Sequence, residues 1–352
     1  MKNSLEKSRN MLCGLHDFVQ ENCKKYQKLL FHEALSNFYD TVINCVRARY
    51  LMPLAALALL IPSMVLAEGE KPKDNAEPTK ESLEKTNPDK FALELIGKVK
   101  KAGEALRDYT MIMKKQELFG KKMAPMETLQ IKWARPHKLY LKNIKEPYKD
   151  REVLFVLGRH NNELTAHPGS FPDITVHLDP HGSMAMKNNH HPVDEASLVN
   201  FTRLLWNNVS LAQKRKEGSV KFLGEEKIFG RNAYKLELTA PKGGVFYTMK
   251  KGETLWDVAK KFKTSMYQIL HHNADKGWDE PDDPDAGDKV FVPRYYASKI
   301  ILWIDKELML PIKALIYDHH GKLYENYEHR QLKINVGLTA KDFDPDNKKY
   351  DF

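Results

Sequence analysis

The hydrophobic period of this chain changes once and then holds. Leu95, Ile96, Val99, Ala102 and Leu106 recur at helical spacing, which predicts an amphipathic helix over roughly 91–107. Beyond it the period is two. Leu129, Ile131 and Trp133 alternate with Thr128, Gln130 and Lys132, Leu139 and Leu141 with Lys138, Tyr140 and Lys142, and Val153, Phe155 and Leu157 line one face of the next run. Turn-like pieces separate these runs: Gly120-Lys121-Lys122, Arg135-Pro136 and Glu146-Pro147. The pattern predicts an antiparallel meander with one face buried.

A second helix is expected over about 193–207, with Leu198, Phe201, Leu204 and Leu205 as its stripe and Pro192 in its first turn. Strands resume at 220–223 and 233–238, then at 299–304, 310–317 and 322–329, and a short helical turn is expected near 339–343. The fold class is therefore α+β. An antiparallel host domain with two helices is split into two parts, 91–242 and 297–352.

Residues 243–296 split it. A short strand at 246–249 meets a Lys-Gly turn, and Thr254 can cap a helix carrying Leu255, Val258, Ala259 and Phe262. Thr264 or Ser265 can cap a second helix with Met266, Ile269 and Leu270, and Gly287 precedes a strand at 290–292 closed by Pro293. The order is strand-helix-helix-strand. This segment resembles the LysM module. The resemblance rests on Tyr247-Thr248, Gly252-Glu253-Thr254-Leu255-Trp256-Asp257-Val258-Ala259, Thr264, Ile269-Leu270, Asn273 and Gly287-Asp288-Lys289-Val290-Phe291-Val292-Pro293. LysM members bind N-acetylglucosamine-containing glycans, chiefly peptidoglycan in bacteria. The resemblance places the glycan-binding residues at Gly252, Glu253, Thr254 and Leu255 in one loop and at Asn273, Ala274 and Asp275 in another. Backbone groups at a glycine turn and a side-chain amide suit acetamido and hydroxyl groups. Two departures stand out: Glu253 replaces the usual Asp, and the segment 276–286 is longer and more acidic than the family's loop. Because its first and last strands pair, such a unit fits in a hairpin loop of its host.

The host's plan of helix, meander, crossing helix and late strands (Trp303-Ile304-Asp305, Leu310-Pro311-Ile312-Lys313) resembles the LolA/RseB-like lipoprotein-carrier fold. It is also similar to an uncharacterised family of secreted bacterial proteins. The first resemblance implies an incompletely closed antiparallel β-barrel around helices, whose interior can hold acyl chains.

Arg47 and Arg49 precede the apolar run 51–66, which ends in Val65-Leu66-Ala67. A basic start, a short apolar core and small residues before Glu68 make residues 46–67 an expected secretory signal peptide, cleaved after Ala67. The run is shorter than the roughly 20 residues a spanning helix needs, so membrane contact is expected only through this segment if it stays uncleaved. Residues 1–45 are an N-terminal extension, either a long cytoplasmic leader or a mis-assigned start. Residues 68–90 are charged, proline-punctuated and poor in large apolar groups, as expected of a disordered linker. The periplasm or cell envelope is the expected location.

Cys13, Cys23 and Cys45 are the only cysteines. Beyond residue 45 there is thus no cysteine nucleophile, Cys-ligated zinc or disulfide. The formal charge of +9 is spread along the chain and does not by itself imply nucleic acid. Gly-x-Ser-x-Gly, His-Glu-x-x-His, P-loop and dinucleotide patterns are absent. No catalytic residue, metal ligand or cofactor is assigned. His160, His167, His177, His181, His190 and His191 cluster with no repeating ligand spacing and read as surface-loop residues, as do His271-His272 and His319-His320. Met111, Met113, Met123, Met126, Met184 and Met186 read as core rather than a lipid-lining set. The expectation is a non-catalytic envelope protein that binds peptidoglycan through its LysM-like unit and a lipid, lipoprotein or envelope partner through its β domain. A peptidoglycan-targeted wall hydrolase and an RseB-like envelope sensor are the alternatives.

Overall fold

The computed structural model describes residues 87–278 and 280–352. The expected extension, the signal peptide and most of the linker lie outside them. The first helix, α1 (Pro88–Glu104), begins three residues before the apolar stripe predicts. Asn87 Oδ1 accepts from the Lys90 N–H at 3.0 Å, and Pro88 sits where a missing N–H costs nothing.

The meander follows as β1 (Asp108–Phe119), β2 (Lys122–Met123), β3 (Glu127–Ala134), β4 (Lys138–Asn143), β5 (Glu152–Val156), β6 (Leu164–His167) and β7 (Val176–Leu178). A single turn, α2 (Ser183–Met186), leads to α3 (Leu198–Lys214). The latter corrects the helix expected from 193. Pro192 instead closes a turn, accepting from the Glu195 and Ala196 N–H groups, and Ser197 caps the helix by accepting from Asn200 N–H at 3.1 Å.

Then come β8 (Ser219–Ile228), β9 (Arg231–Thr239), β10 (Gly244–Thr248), α4 (Leu255–Phe262), α5 (Met266–His272), β11 (Lys289–Pro293), β12 (Lys299–Asp305), β13 (Pro311–Tyr317) and β14 (Leu323–Ile334). One antiparallel sheet runs β7-β6-β5-β4-β3-β1-β14-β13-β12-β9-β8, with β2 paired to β1. Its end strands, β7 and β8, do not pair, so the barrel-like sheet stays open.

Two clusters fill one side of the sheet. In the first, Phe91, Leu95, Ile96 and Val99 of α1 and Leu205 and Val209 of α3 pack on Leu236, Ile300, Leu302, Ile304 and Ile316. In the second, Leu106, Tyr109, Leu129, Ile131, Trp133, Leu139 and Phe155 pack with Leu198. The helices approach closely at Gly103, where a Cβ would collide with the Thr202 side chain.

The meander buries both faces rather than one. Tyr140 and Leu154 point away from those clusters yet are covered by Phe343 and the last residues of the chain, with Tyr140 stacked on Tyr350 at 3.9 Å.

β9 and β12 pair directly, from Thr239 opposite Lys299 to Ala233 opposite Asp305. The strand-helix-helix-strand segment occupies the connection between them. β10 pairs with β11 in a separate two-stranded sheet, and Met249, Leu255, Val258, Ala259, Met266, Ile269, Val290 and Val292 form a core of their own.

Candidate functional site

The turn into α4 is built by side chains that brace backbone. Gly252 has φ +76°, the left-handed region glycine enters without strain, and a Cβ there would meet nothing within 4 Å. The Glu253 carboxylate accepts from the Tyr247 hydroxyl at 2.8 and 2.9 Å and from the Lys250 N–H at 2.9 Å. The Tyr247 bond first, and the Lys250 bond next, hold its pKa below the usual carboxylate value. Thr254 forms a capping box, its N–H and Oγ1 both donating to Asp257 Oδ2. Leu255 is buried in the unit's core, and its N–H donates to Pro281 O at 2.7 Å. That bond lays the acidic loop against the start of α4.

On the other loop the Asn273 amide is fully committed. Its Nδ2 donates to Ile269 O at 2.7 Å and to Phe291 O at 2.8 Å, and its Oδ1 accepts from Phe291 N–H at 2.8 Å. This side-chain amide, a member of the expected glycan-binding set, is a strut between α5 and β11. Ala274 and Asp275 are exposed in a 3₁₀ turn.

An open cleft of about 870 Å³ lies beside that turn. Asn273 and Asp275 line it, with Lys276, Lys289, Phe291, His272 and His319, whereas Gly252, Glu253, Thr254 and Leu255 do not. Phe246 also lines it, 75% exposed and edge-on to Phe291 at 5.5 Å. An exposed aromatic face beside cationic and acidic groups suits a ring-bearing, polar ligand.

Of the paired histidines only His320 is exposed in a turn; His271, His272 and His319 are drawn into a seam. His271 Nε2 meets Asp318 Oδ2 at 2.9 Å, His319 Nε2 meets Tyr295 O at 3.0 Å, and the His272 and His319 rings lie 4.9 Å apart. Together they form the seam between α5 and the large sheet. Burial, and then the neighbouring His319, His271 and His320, bring the His272 pKa down to about 3. Of the six histidines between 160 and 191, His160 and His177 are exposed as expected. His167 and His190 are buried. Met111 and Met186 are core, and Met184 is exposed.

His190 belongs to a polar centre that the sequence reading missed. It stacks on Tyr324 at 4.2 Å, its Nδ1 lies 2.9 Å from Glu325 Oε1, and its backbone N–H donates to Glu117 Oε2 at 3.1 Å. The Tyr296 and Tyr327 hydroxyls donate to Glu325 and Glu117 respectively. Burial alone would raise the Glu325 carboxyl, but hydrogen bonds from His190 and His191 outweigh it and hold it well below its ordinary value. Inward acids on two strands were the available signal. Their meeting depends on a pairing more than 200 residues apart in sequence.

A family model described as a protein of unknown function, DUF1571, matches residues 106–276 and 291–352. The chain belongs to that family. The match to DUF1571 takes in β1 and β14 and leaves out 277–290, most of the acidic loop. No curated protein matches this DUF1571 chain. Solved structures similar to it include a DUF1329 family protein from Desulfovibrio piger, at 12% identity and TM-score 0.32, covering 74% of this chain and 98% of the other. Another is the Mycobacterium tuberculosis lipoprotein LppX, at 13% and 0.36, covering 71% and 98%. A third is LprF from Mycobacterium bovis, at 10% and 0.38, covering 72% and 96%.

Proposed function

We propose that this DUF1571 member is an exported, non-catalytic cell-envelope protein that binds N-acetylglucosamine-containing glycan, peptidoglycan above all, through residues 243–296. Its open sheet serves a lipid, lipoprotein or other envelope partner. The observation that carries the glycan reading is the self-contained unit from β10 to β11, with its own core and a cleft beside the LysM-like turn at Asn273 and Asp275. Phe246 and Phe291 supply apolar ring surface, and Asp275, Lys276 and Lys289 supply polar partners for hydroxyl and acetamido groups.

For the sheet, packing favours a docked partner over a resident acyl chain. The hollow beside α3, lined by Leu205, Val209, Leu238 and Ile300, is about 30 Å³, room for a water molecule rather than a lipid tail. A lipid tail enters this hollow only if its walls, α3 among them, move apart.

Co-sedimentation with purified sacculi tests the glycan reading. The protein pellets with sacculi and releases no soluble muropeptides. A failure to pellet removes the glycan reading, and released muropeptides establish the hydrolase in its place.

A further inference from the structure

Two acids and an imidazole from separate elements meet inside the protein. Glu117 on β1, Glu325 on β14 and His190 in the segment before α3 are 2%, 0% and 3% exposed, and their ligand atoms lie within 4.8 Å of one another. We propose that they form a binding site for a divalent transition-metal ion of the zinc class.

The first argument is register. Glu117 and Glu325 stand directly opposite each other in the β1–β14 pairing. Like charges in that position repel, and burial sharpens the repulsion unless a cation lies between them. The second is the imidazole. His190 Nε2 is 3.0 Å from Leu118 O, so a neutral ring spends its one N–H on that carbonyl. On metal binding Nδ1 gives up its proton, and with it the 2.9 Å hydrogen bond to Glu325 Oε1, so that its lone pair turns to the ion. A backbone carbonyl on the far nitrogen is the usual support for a metal-bound histidine. The third is an oxygen without a donor: Glu325 Oε2 is buried and has no hydrogen-bond partner. A metal ion satisfies all three at once.

The ligand atoms, all within 4.8 Å of one another, need only a small side-chain adjustment to reach metal-site spacing. Zinc bonds of about 2.0–2.2 Å in tetrahedral geometry put ligand atoms roughly 3.3 Å apart. One nitrogen and two carboxylate oxygens form a donor set that zinc accepts. Lys115 Nζ competes for Glu117, at 3.4 Å, but it is equally close to Glu127 and also bonds Asn189 Oδ1. It therefore keeps an anionic partner when Glu117 turns to a metal. The bound ion ties the 187–191 segment to both strands.

The test uses the full chain, stripped with a chelator and titrated with Zn²⁺. One equivalent binds with a rise in thermal midpoint, and Glu325→Gln and His190→Gln, each folded by circular dichroism, weaken that binding at least about 100-fold. Cys13, Cys23, Cys45 and the histidines at the α5 seam are competing ligands, so zinc X-ray absorption on the unmutated chain provides a second reading. The expected shell is oxygen and nitrogen with at most two imidazoles, the second being His191, whose Nε2 is 3.4 Å from Glu325 Oε1. Absence of stoichiometric binding, undiminished binding in both folded variants, a sulfur shell or three imidazoles would each overturn the site. If the variants do not fold, the absorption result on the native chain decides.

Discussion

Asn273 and Phe291 are joined by a reciprocal pair of hydrogen bonds, amide nitrogen to backbone carbonyl and backbone N–H to amide oxygen, each 2.8 Å long. With the third bond to Ile269 O, this buried amide fixes the end of α5 to β11 and so shapes one wall of the cleft. Asn273→Ala removes three bonds and leaves the Phe291 N–H without that acceptor. A loss of about 2–4 kcal/mol is expected in the local stability of the β10–β11 unit. Hydrogen exchange reads it: the Phe291 amide accelerates while amides of the β1–β14 pair stay protected. Equal acceleration in both places would mean that the unit is not an independent cooperative element.

Phe246 separates binding from folding. Its ring is largely in solvent, so Phe246→Ala changes stability by less than about 0.5 kcal/mol. If the ring is a platform for sugar, the same substitution lowers the fraction pelleting with sacculi several-fold. Unchanged pelleting would exclude this cleft as the glycan site and return attention to the Gly252 turn.

The two glycines of α1 make a controlled pair. A Cβ at Gly103 lands inside the Thr202 side chain, whereas one at Gly97 meets Trp206 Cζ3 at an ordinary 3.6 Å. Gly103→Ala forces α1 away from α3 and costs about 1–3 kcal/mol. Gly97→Ala gains helix propensity and is neutral or stabilising by up to about 1 kcal/mol. Urea midpoints compare them directly. If a partner needs the two helices parted, Gly103→Ala also strengthens its binding.

These substitutions show which parts of the molecule could be read from its sequence. Strands with Leu129, Ile131 and Trp133 inward were legible because a period of two is imposed by the strand itself. The turn at Gly252 and the cap at Thr254 were legible for the same reason: both are local. Ser197 was missed because Pro192 is an equally good local start signal, and only packing chose between them. Tyr140 looked outward because its cover, Tyr350 and Phe352, arrives from the far end of the chain. Asn273 was found by position, but its bracing of α5 against β11 was not legible, since its partner Phe291 lies across a loop. Glu117 and Glu325 carry no local signal that singles them out, and only the β1–β14 register makes them neighbours.

The seam at α5 carries a pH dependence whose sign is fixed. His272 faces His319, His320 and Asp318 from the large sheet and His271 on its own helix, and it shares the cleft with Lys242, Asp275, Lys276 and Lys289. Its folded pKa of about 3 lies below the ordinary 6.5, so in this window the unfolded chain binds the extra proton. Stability from the neutral ring is complete above about pH 6.5 and is lost as pH falls toward 3. Asp318 behaves likewise at lower pH. Burial would raise its pKa, but the bond from His271, with backbone N–H groups of Lys322 and His320, brings it down to about 2, so its share is lost only below about 3.8. Between pH 7 and 5 the His272 term alone amounts to roughly 1–2 kcal/mol. His272→Gln removes the titrating group. The expected outcome is a shallower fall of the unfolding midpoint between pH 7 and 5 than in the unmodified protein. Parallel curves would show that the His272 ring stays neutral without cost and that other groups set the acid response.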